Sequence, residues 1–167
     1  TLLSEISGLS EDDIAMELYT LTFEGLIAPT GNAYQFTHNR IFEAAVNQLP
    51  DADRARYHVK IGSLKLDQTA GNETLQRDIF AIVDHLNHGA SGDVDAPLRR
   101  RLAELNLKAG RKAMEAAAFG NAAVYFRTGA NLLREEDWRH HYSLVFDLEL
   151  ELAHNLFLAA DYGKAAD

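Results

Sequence analysis

The side chains of this 167-residue chain that could do chemistry are mainly its seven histidines and 25 carboxylates. His85 and His88 stand at i and i+3 beside Asp84, a spacing that sets two imidazoles on one helix face as a zinc pair would need. A zinc site takes a third protein ligand, and the sequence nominates none. His85 also flanks an apolar stripe, which favours a packed imidazole near a helix end over a metal ligand. His140 and His141 are adjacent and point to different faces, and His58 follows Tyr57 as a structural residue would. A metal-dependent hydrolase built from histidines with Asp78 and Asp84 is the weakest reading of these residues. The expected metal-site residues and catalytic residues are therefore none.

Other chemistry is missing by motif. No Gly-x-x-x-x-Gly-Lys-Ser/Thr phosphate loop occurs, no kinase signature set, and no Gly-x-Ser-x-Gly elbow. Cysteine is absent, which excludes disulfides and thiolate metal sites. The net charge is −9, so the surface repels phosphate backbones, and nucleic acid is not expected as a partner. No run approaches the roughly 18 apolar residues of a membrane span, and no secretory signal opens the chain. The expected setting is cytoplasmic. Thr1 stands where an initiator Met would, and Lys164–Asp167 stops inside a helical pattern, so both ends read as cuts from something longer.

The elements that must position these residues follow from punctuation and period. Pro29, Pro50 and Pro97 mark boundaries. Ser10 caps a run of acids and a helix carrying Ile14, Leu18, Leu21 and Leu26, which Gly25 ends. Two short apolar runs then flank Gly31-Asn32, a hairpin signal over Leu26–Phe36. A helix from Asn39 to Leu49 turns Ile41, Ala44, Ala45 and Leu49 inward. The first 50 residues thus read helix, helix, hairpin, helix, the order of a winged helix.

Everything after Asp51 is predicted helical. One helix buries Tyr57, Ile61 and Leu64. Leu75, Ile79, Ile82, Val83 and Leu86 form an amphipathic stripe that breaks at Gly89–Gly92. Leu98, Leu102, Leu105, Ala109, Ala113 and Ala116 form another, small-residue in its second half. Phe119–Leu133 is a further helix. Asp137–Ala159 is apolar almost all round, as a helix sandwiched between neighbours would be.

Two windows share one pattern. Gly110, Ala113, Ala117, Phe119 and Ala122 are spaced like Ala153, Leu156, Ala160, Tyr162 and Ala165, each 43 residues further on, as 153 lies beyond 110. Small residues in one helix, an aromatic after the turn and alanine in the next match the tetratricopeptide pattern, whose usual period is about 34 residues. The longer offset implies longer helices. The fold expected is all-α: a superhelix of tetratricopeptide-type helix pairs over 51–167, preceded by a winged-helix-like unit with one β-hairpin over 1–50.

Several phrases together resemble a known family. Phe36-Thr37-His38-Asn39-Arg40-Ile41-Phe42-Glu43-Ala44-Ala45 resembles the F-x-H-D-R-I-x-x-A-A element that follows the ATPase domain of large bacterial multi-sensor signalling kinases, of the histidine or serine/threonine type. Arg56-Tyr57-His58-Val59-Lys60-Ile61-Gly62, Phe80–Gly89 and Leu102–Ala113 are similar to three later helices of those proteins. The likeness runs from about Leu18 to Ala166. It implies a winged-helix and helical-repeat segment downstream of a STAND-type AAA+ ATPase. Such a segment is a non-catalytic regulatory scaffold, coupling that ATPase to sensory or output domains of a two-component or related system. Its partners would be neighbouring domains of the same polypeptide and other proteins. ATP or ADP and magnesium would belong to the ATPase domain, leaving no cofactor here. The resemblance also assigns His38 a contact with bound nucleotide that holds the resting state, although the family's Asp is Asn39 in this chain. The side chain of His38 capping the next helix is the packing alternative. The alternative for the whole is a winged helix binding nucleic acid within an ATPase-type transcription regulator. Arg40 is the sole Lys or Arg among the first 50 residues, whereas a DNA-reading winged helix carries several.

Overall fold

The computed structural model describes residues 2–69, 71–90 and 94–165, apart from the side chains of residues 72 and 160–165. Among the described residues the chain is mostly helical with one two-stranded antiparallel hairpin.

After α1 (Leu2–Ser7), α2 spans Glu11–Phe23. Ser10 caps it, its hydroxyl accepting from the Asp13 N–H at 3.1 Å, while Glu11, Asp12 and Asp13 lie at the positive end of the helix dipole. The helix stops at Gly25, whose φ of +71° is open to glycine at little cost. Gly25 N–H donates to Thr22 O and Leu26 N–H to Leu21 O, the pair of bonds that closes a Schellman end. Strands β1 (Ile27–Thr30) and β2 (Ala33–Phe36) pair from Ile27 with Phe36 to Thr30 with Ala33, around the expected Gly31-Asn32 turn. Pro29 lies within β1, where a two-stranded hairpin tolerates it at an edge. Thr37 fastens the hairpin, donating its N–H to Leu26 O and its hydroxyl to Gly25 O. Helix α3 spans Asn39–Asn47.

The order helix, helix, hairpin, helix is therefore present, but its core is small. Ile14 and Ile27 are the buried apolar residues among those described before residue 50. Ala44, Ala45 and Leu49, expected inward, are exposed. The reason is that α3 packs on β2 and α2 on β1 and α1, so no element covers the second half of α3 closely.

The rest is a stack in which each long helix lies on the next: α4 (Asp51–Asp67), α5 (Asn72–Gly89), α6 (Ala96–Glu115), α7 (Phe119–Leu132) and α9 (Tyr142–Ala165), with one turn, α8 (Asp137–His140), before α9. Tyr57, Ile61 and Leu64 on α4 are half-buried rather than buried, because α4 is covered on one flank by α5 and on another only by the short α1. The α5 stripe of Leu75, Ile79, Ile82, Val83 and Leu86 is buried against Leu102, Leu105 and Ala109 of α6. Helix α6 starts where expected, capped by Asp95, whose carboxylate accepts from Leu98 N–H at 2.9 Å, with Pro97 in its first turn. Its small half then meets α7. A Cβ on Gly110 would lie 2.4 Å from Phe126 Cε1, so the ring of the fully buried Phe126 occupies the space that a side chain there would need. Ala116 and Ala117, expected to pack, are exposed past the end of α6, and Ala117 turns the chain at φ +56°.

The C-terminal helix departs from expectation in three ways. It is broken at His141, because Asp137, buried, uses its carboxylate to accept from Arg134 N–H at 2.8 Å and ties the first turn to the preceding loop. It is also not sandwiched. Leu148 is buried against α6 and α7 and Val145 is buried as well, while Trp138, Tyr142, Phe146, Leu150 and Phe157 on its other faces are exposed. No described element covers them. Finally, α9 runs on to Ala165, so the turn that the second window expects at Ala160 is helix. A single Gly163, which costs only about 1 kcal/mol against alanine in a helix, does not stop it. The side chains of Ala160, Tyr162 and Ala165, and the Gly92 end of the expected break after Gly89, lie outside the described residues. Among the described residues no helix is long and apolar enough to cross a membrane.

Candidate functional site

The densest gathering of chemistry-capable side chains lies where α4 crosses α5. His85 and His88 occupy adjacent turns of α5. His58 enters from α4, since it and His85 lie about equally far from the Gly71 turn of an antiparallel helix pair. Gly89 makes the crossing close. A Cβ there would lie 2.5 Å from Val59 Cγ2 and 2.7 Å from Ala55 O, so only glycine admits α4 at this distance. The Nδ1 atoms of His58 and His85 are 3.0 Å apart, and the rings of His58 and His88 stack at 5.2 Å. The Nδ1 of His88 lies 2.7 Å from Asp84 O, to which it donates. Asp84 accepts at Oδ1 from the Tyr125 hydroxyl of α7 at 2.9 Å.

Beside this cluster a groove of about 420 Å³ opens between α5 and α7, lined by Asp84, Asn87 and His88 on one side and Asn121, Tyr125 and Thr128 on the other. Behind it, Asn87 pairs with the fully buried Asn106 of α6. Each amide nitrogen donates to the other's oxygen, at 3.0 and 2.9 Å, and Asn106 also donates to Leu102 O. Tyr125 stacks on Phe80 at 5.7 Å, which in turn carries the Lys112 ammonium 4.9 Å from its centroid.

Charge in the cluster follows from its surroundings. Burial, then the positive charge of His88 and Arg54, holds His58 below the ordinary histidine value. Burial, then His58, Lys65 and His88, holds His85 below it too, against the pull of Asp84. The Tyr125 hydroxyl is pushed up by burial and by its hydrogen bond to Asp84, which keeps it a donor. The arrangement can share protons and accept hydrogen bonds.

The structure brings His58 to His85 and His88, the pair singled out in the sequence, and so supplies a third imidazole. Among the described residues no group of three His, Cys, Asp or Glu is placed to hold an ion. The structure does not bring together Asp78 and Asp84, the acids named with the histidines in the hydrolase reading. The two lie six residues apart on one helix, about 9 Å along its axis, with Asp78 bound to Arg77 and Asp84 to Tyr125. His140 is exposed and His141 half-buried at the break before α9.

His38 stands apart from all of this. It is exposed, precedes α3 in extended conformation, and its side chain makes no capping hydrogen bond, so the capping role expected of that ring is not filled. Its neighbour Asn39 donates to Glu43 Oε1 at 2.6 Å. A second groove, about 680 Å³ between α2 and the hairpin, is lined by Asp12, Ile14, Leu18, Tyr19, Pro29 and Tyr34, and His38 is not on its wall. Sequence reasoning missed His58 as a partner, and Asn87 with Asn106 as a buried pair. The available signal was two asparagines bordering apolar stripes on successive helices. Compared with known family models, curated proteins and solved structures, the chain has no match.

Proposed function

We propose that this chain is a non-catalytic regulatory scaffold within a larger bacterial signalling ATPase-kinase. Residues 1–50 are its winged-helix-like unit, next to a STAND-type ATPase, and 51–167 its tetratricopeptide-type helical region. His38 contacts nucleotide held by the neighbouring ATPase, and the helical region receives protein partners or adjoining domains. The observation that carries this reading is the stack itself. Helices α4 to α7 and α9 nest by setting small residues against large ones, as Gly110 does under Phe126, and the stack presents a bare aromatic ladder. Trp138 lies 5.7 Å from Tyr142, and Tyr142 stacks 5.7 Å from Phe146, all exposed along one side of α8 and α9. An apolar surface of that kind marks a protein contact more often than idle surface.

The test has two arms. The purified chain is expected to turn over no ATP, and the proposed ATPase segment of the parent protein is expected to bind the chain in calorimetry through residues 1–50. That segment is expected to keep binding a Tyr142→Ser, Phe146→Ser double variant, whose loss falls on partners of the helical region. Turnover by the chain alone, or an upstream sequence without a phosphate loop, overturns the proposal.

A further inference from the structure

We propose that His58, His85 and His88 form a proton-sensitive latch between α4 and α5, closed while the imidazoles are neutral and loosened by mild acid.

The geometry carries the argument. Two nitrogens 3.0 Å apart make a hydrogen bond only if one bears a hydrogen and the other a lone pair. One added proton on the donor ring leaves that bond intact. A proton on the acceptor ring places two N–H groups face to face and removes it. His88, stacked on His58 at 5.2 Å, puts a third titratable ring against the same pair. The rings ride on two backbones already touching at Gly89 and Val59, so relief comes by parting the helices.

The other groups around the cluster do little to neutralise it. On α4, Arg54 acts on His58 and Lys65 on His85, both opposing a cation. On α5, Asp84 favours one, but its Oδ1 already accepts from Tyr125 of α7. From α6 comes the neutral Asn106, engaged with Asn87, and Lys112, which reaches Gln76 O far along α5. On the other flank of α4, α1 offers the Ile6 carbonyl, which accepts from Lys60 at 2.9 Å, and an exposed Glu5.

Burial and the neighbouring positive charges hold His58 and His85 below the ordinary histidine value. The folded latch therefore binds protons less readily than the unfolded chain. Its stability is complete above the unfolded value of about 6.5 and drains as pH falls from there towards the depressed folded values. Because α4 carries α1 and follows directly on α3, loosening it frees residues 2–47 from the helical stack. A fall in pH below the ordinary histidine value thereby becomes a change in how the N-terminal unit is held.

Amide hydrogen exchange at pH 7.5 and 5.5, corrected for intrinsic rates, tests this in the intact chain. Protection across α4 and the second half of α5 is expected to fall by roughly three- to tenfold relative to α6 and α7, the factor that loss of one ordinary hydrogen bond brings. His58→Gln and His85→Gln, which keep a polar group but do not titrate, are each expected to abolish most of that difference. In wild-type chain, NMR titration of the imidazoles is expected to place His58 and His85 below the ordinary histidine value, which needs no variant to fold. Parallel loss of protection from α4 through α7, persistence of the pH effect in the doubly substituted chain, or titration at or above the ordinary value overturns the proposal.

Discussion

Replacing Gly110 by alanine adds one methyl group at the crossing of α6 and α7. The new Cβ would stand 2.4 Å from Phe126 Cε1, 2.6 Å from Cδ1 and 2.8 Å from Cζ, well inside van der Waals contact. Phe126 is fully buried, and its ring is walled by the same cluster that holds Ala103, Ala113, Ala122 and Leu148. It has no free direction in which to move, so the helices must separate. Overpacking of this kind costs about 1–3 kcal/mol. Against it stands the gain of about 0.5–1 kcal/mol from alanine in a helix interior. With Phe126 unable to move, the cost lies in the upper part of that range, about 2–3 kcal/mol. The net expectation is a loss of about 1–2.5 kcal/mol, which in a chain of this size lowers the thermal midpoint by roughly 2–10 °C. Gly120→Ala is the control, because a Cβ there meets nothing within 4 Å; it is expected to be neutral or stabilising by up to about 1 kcal/mol. Calorimetry or urea unfolding of both variants reads the difference. Adding Phe126→Leu to Gly110→Ala should recover at least about 0.5 kcal/mol relative to the sum of the single changes, as residues in contact do. A Gly110→Ala chain as stable as wild type, or more so, refutes the packing argument and with it the small-on-large account of the stack.

Other outcomes follow from the same contacts. Asn106→Leu leaves the Asn87 amide without its partner in a half-buried place and is expected to cost about 1–3 kcal/mol in urea unfolding. Tyr142→Ser with Phe146→Ser, both exposed, should move stability by no more than about 0.5 kcal/mol per site, so any loss of partner binding reads contact and not folding. His38→Ala in the full-length protein is expected to raise basal nucleotide turnover while leaving the melting curve of this chain unchanged. Fluorescence anisotropy with duplex DNA is expected to show no salt-dependent binding, because Arg40 alone among the first 50 residues is available to meet phosphate.

What the sequence made legible depended on whether the deciding force was local. The α5 stripe, the Gly31-Asn32 hairpin and the cap at Ser10 rest on period or on one side chain meeting a nearby N–H, and each was readable before the fold. The environment of α9 was not, because an all-round apolar pattern carries no phase: Val145 and Leu148 turned inward and Phe146 and Leu150 outward only once α6 and α7 had chosen a flank. The exposure of Ala44, Ala45 and Leu49 has the same origin, since amphipathic spacing names a face but not whether anything covers it. The His58 contact required the register of two helices, set by the turn at Gly71 and by the close approach at Gly89, neither of which a motif search weighs.

Buried side chains also bear on how the chain would transmit a change. Apart from Ile14, Ile27, Val145 and Leu148, every described apolar residue that is buried lies on α5, α6 or α7. Those three helices hold one another through two adjoining clusters bridged by Phe80, Tyr125 and Leu132. The units at either end are attached to this block by less. Residues 2–47 reach it through α4, whose own apolar side chains are half-buried, and α9 reaches it through one flank. Local opening costs least where few apolar contacts must break, so α4 and α9 are the joints of the molecule and α5 to α7 its rigid part. A signal that acts at either end therefore has a stiff body to work against. The histidine contact lies at one of those two joints, on the side where the chain enters the rigid block.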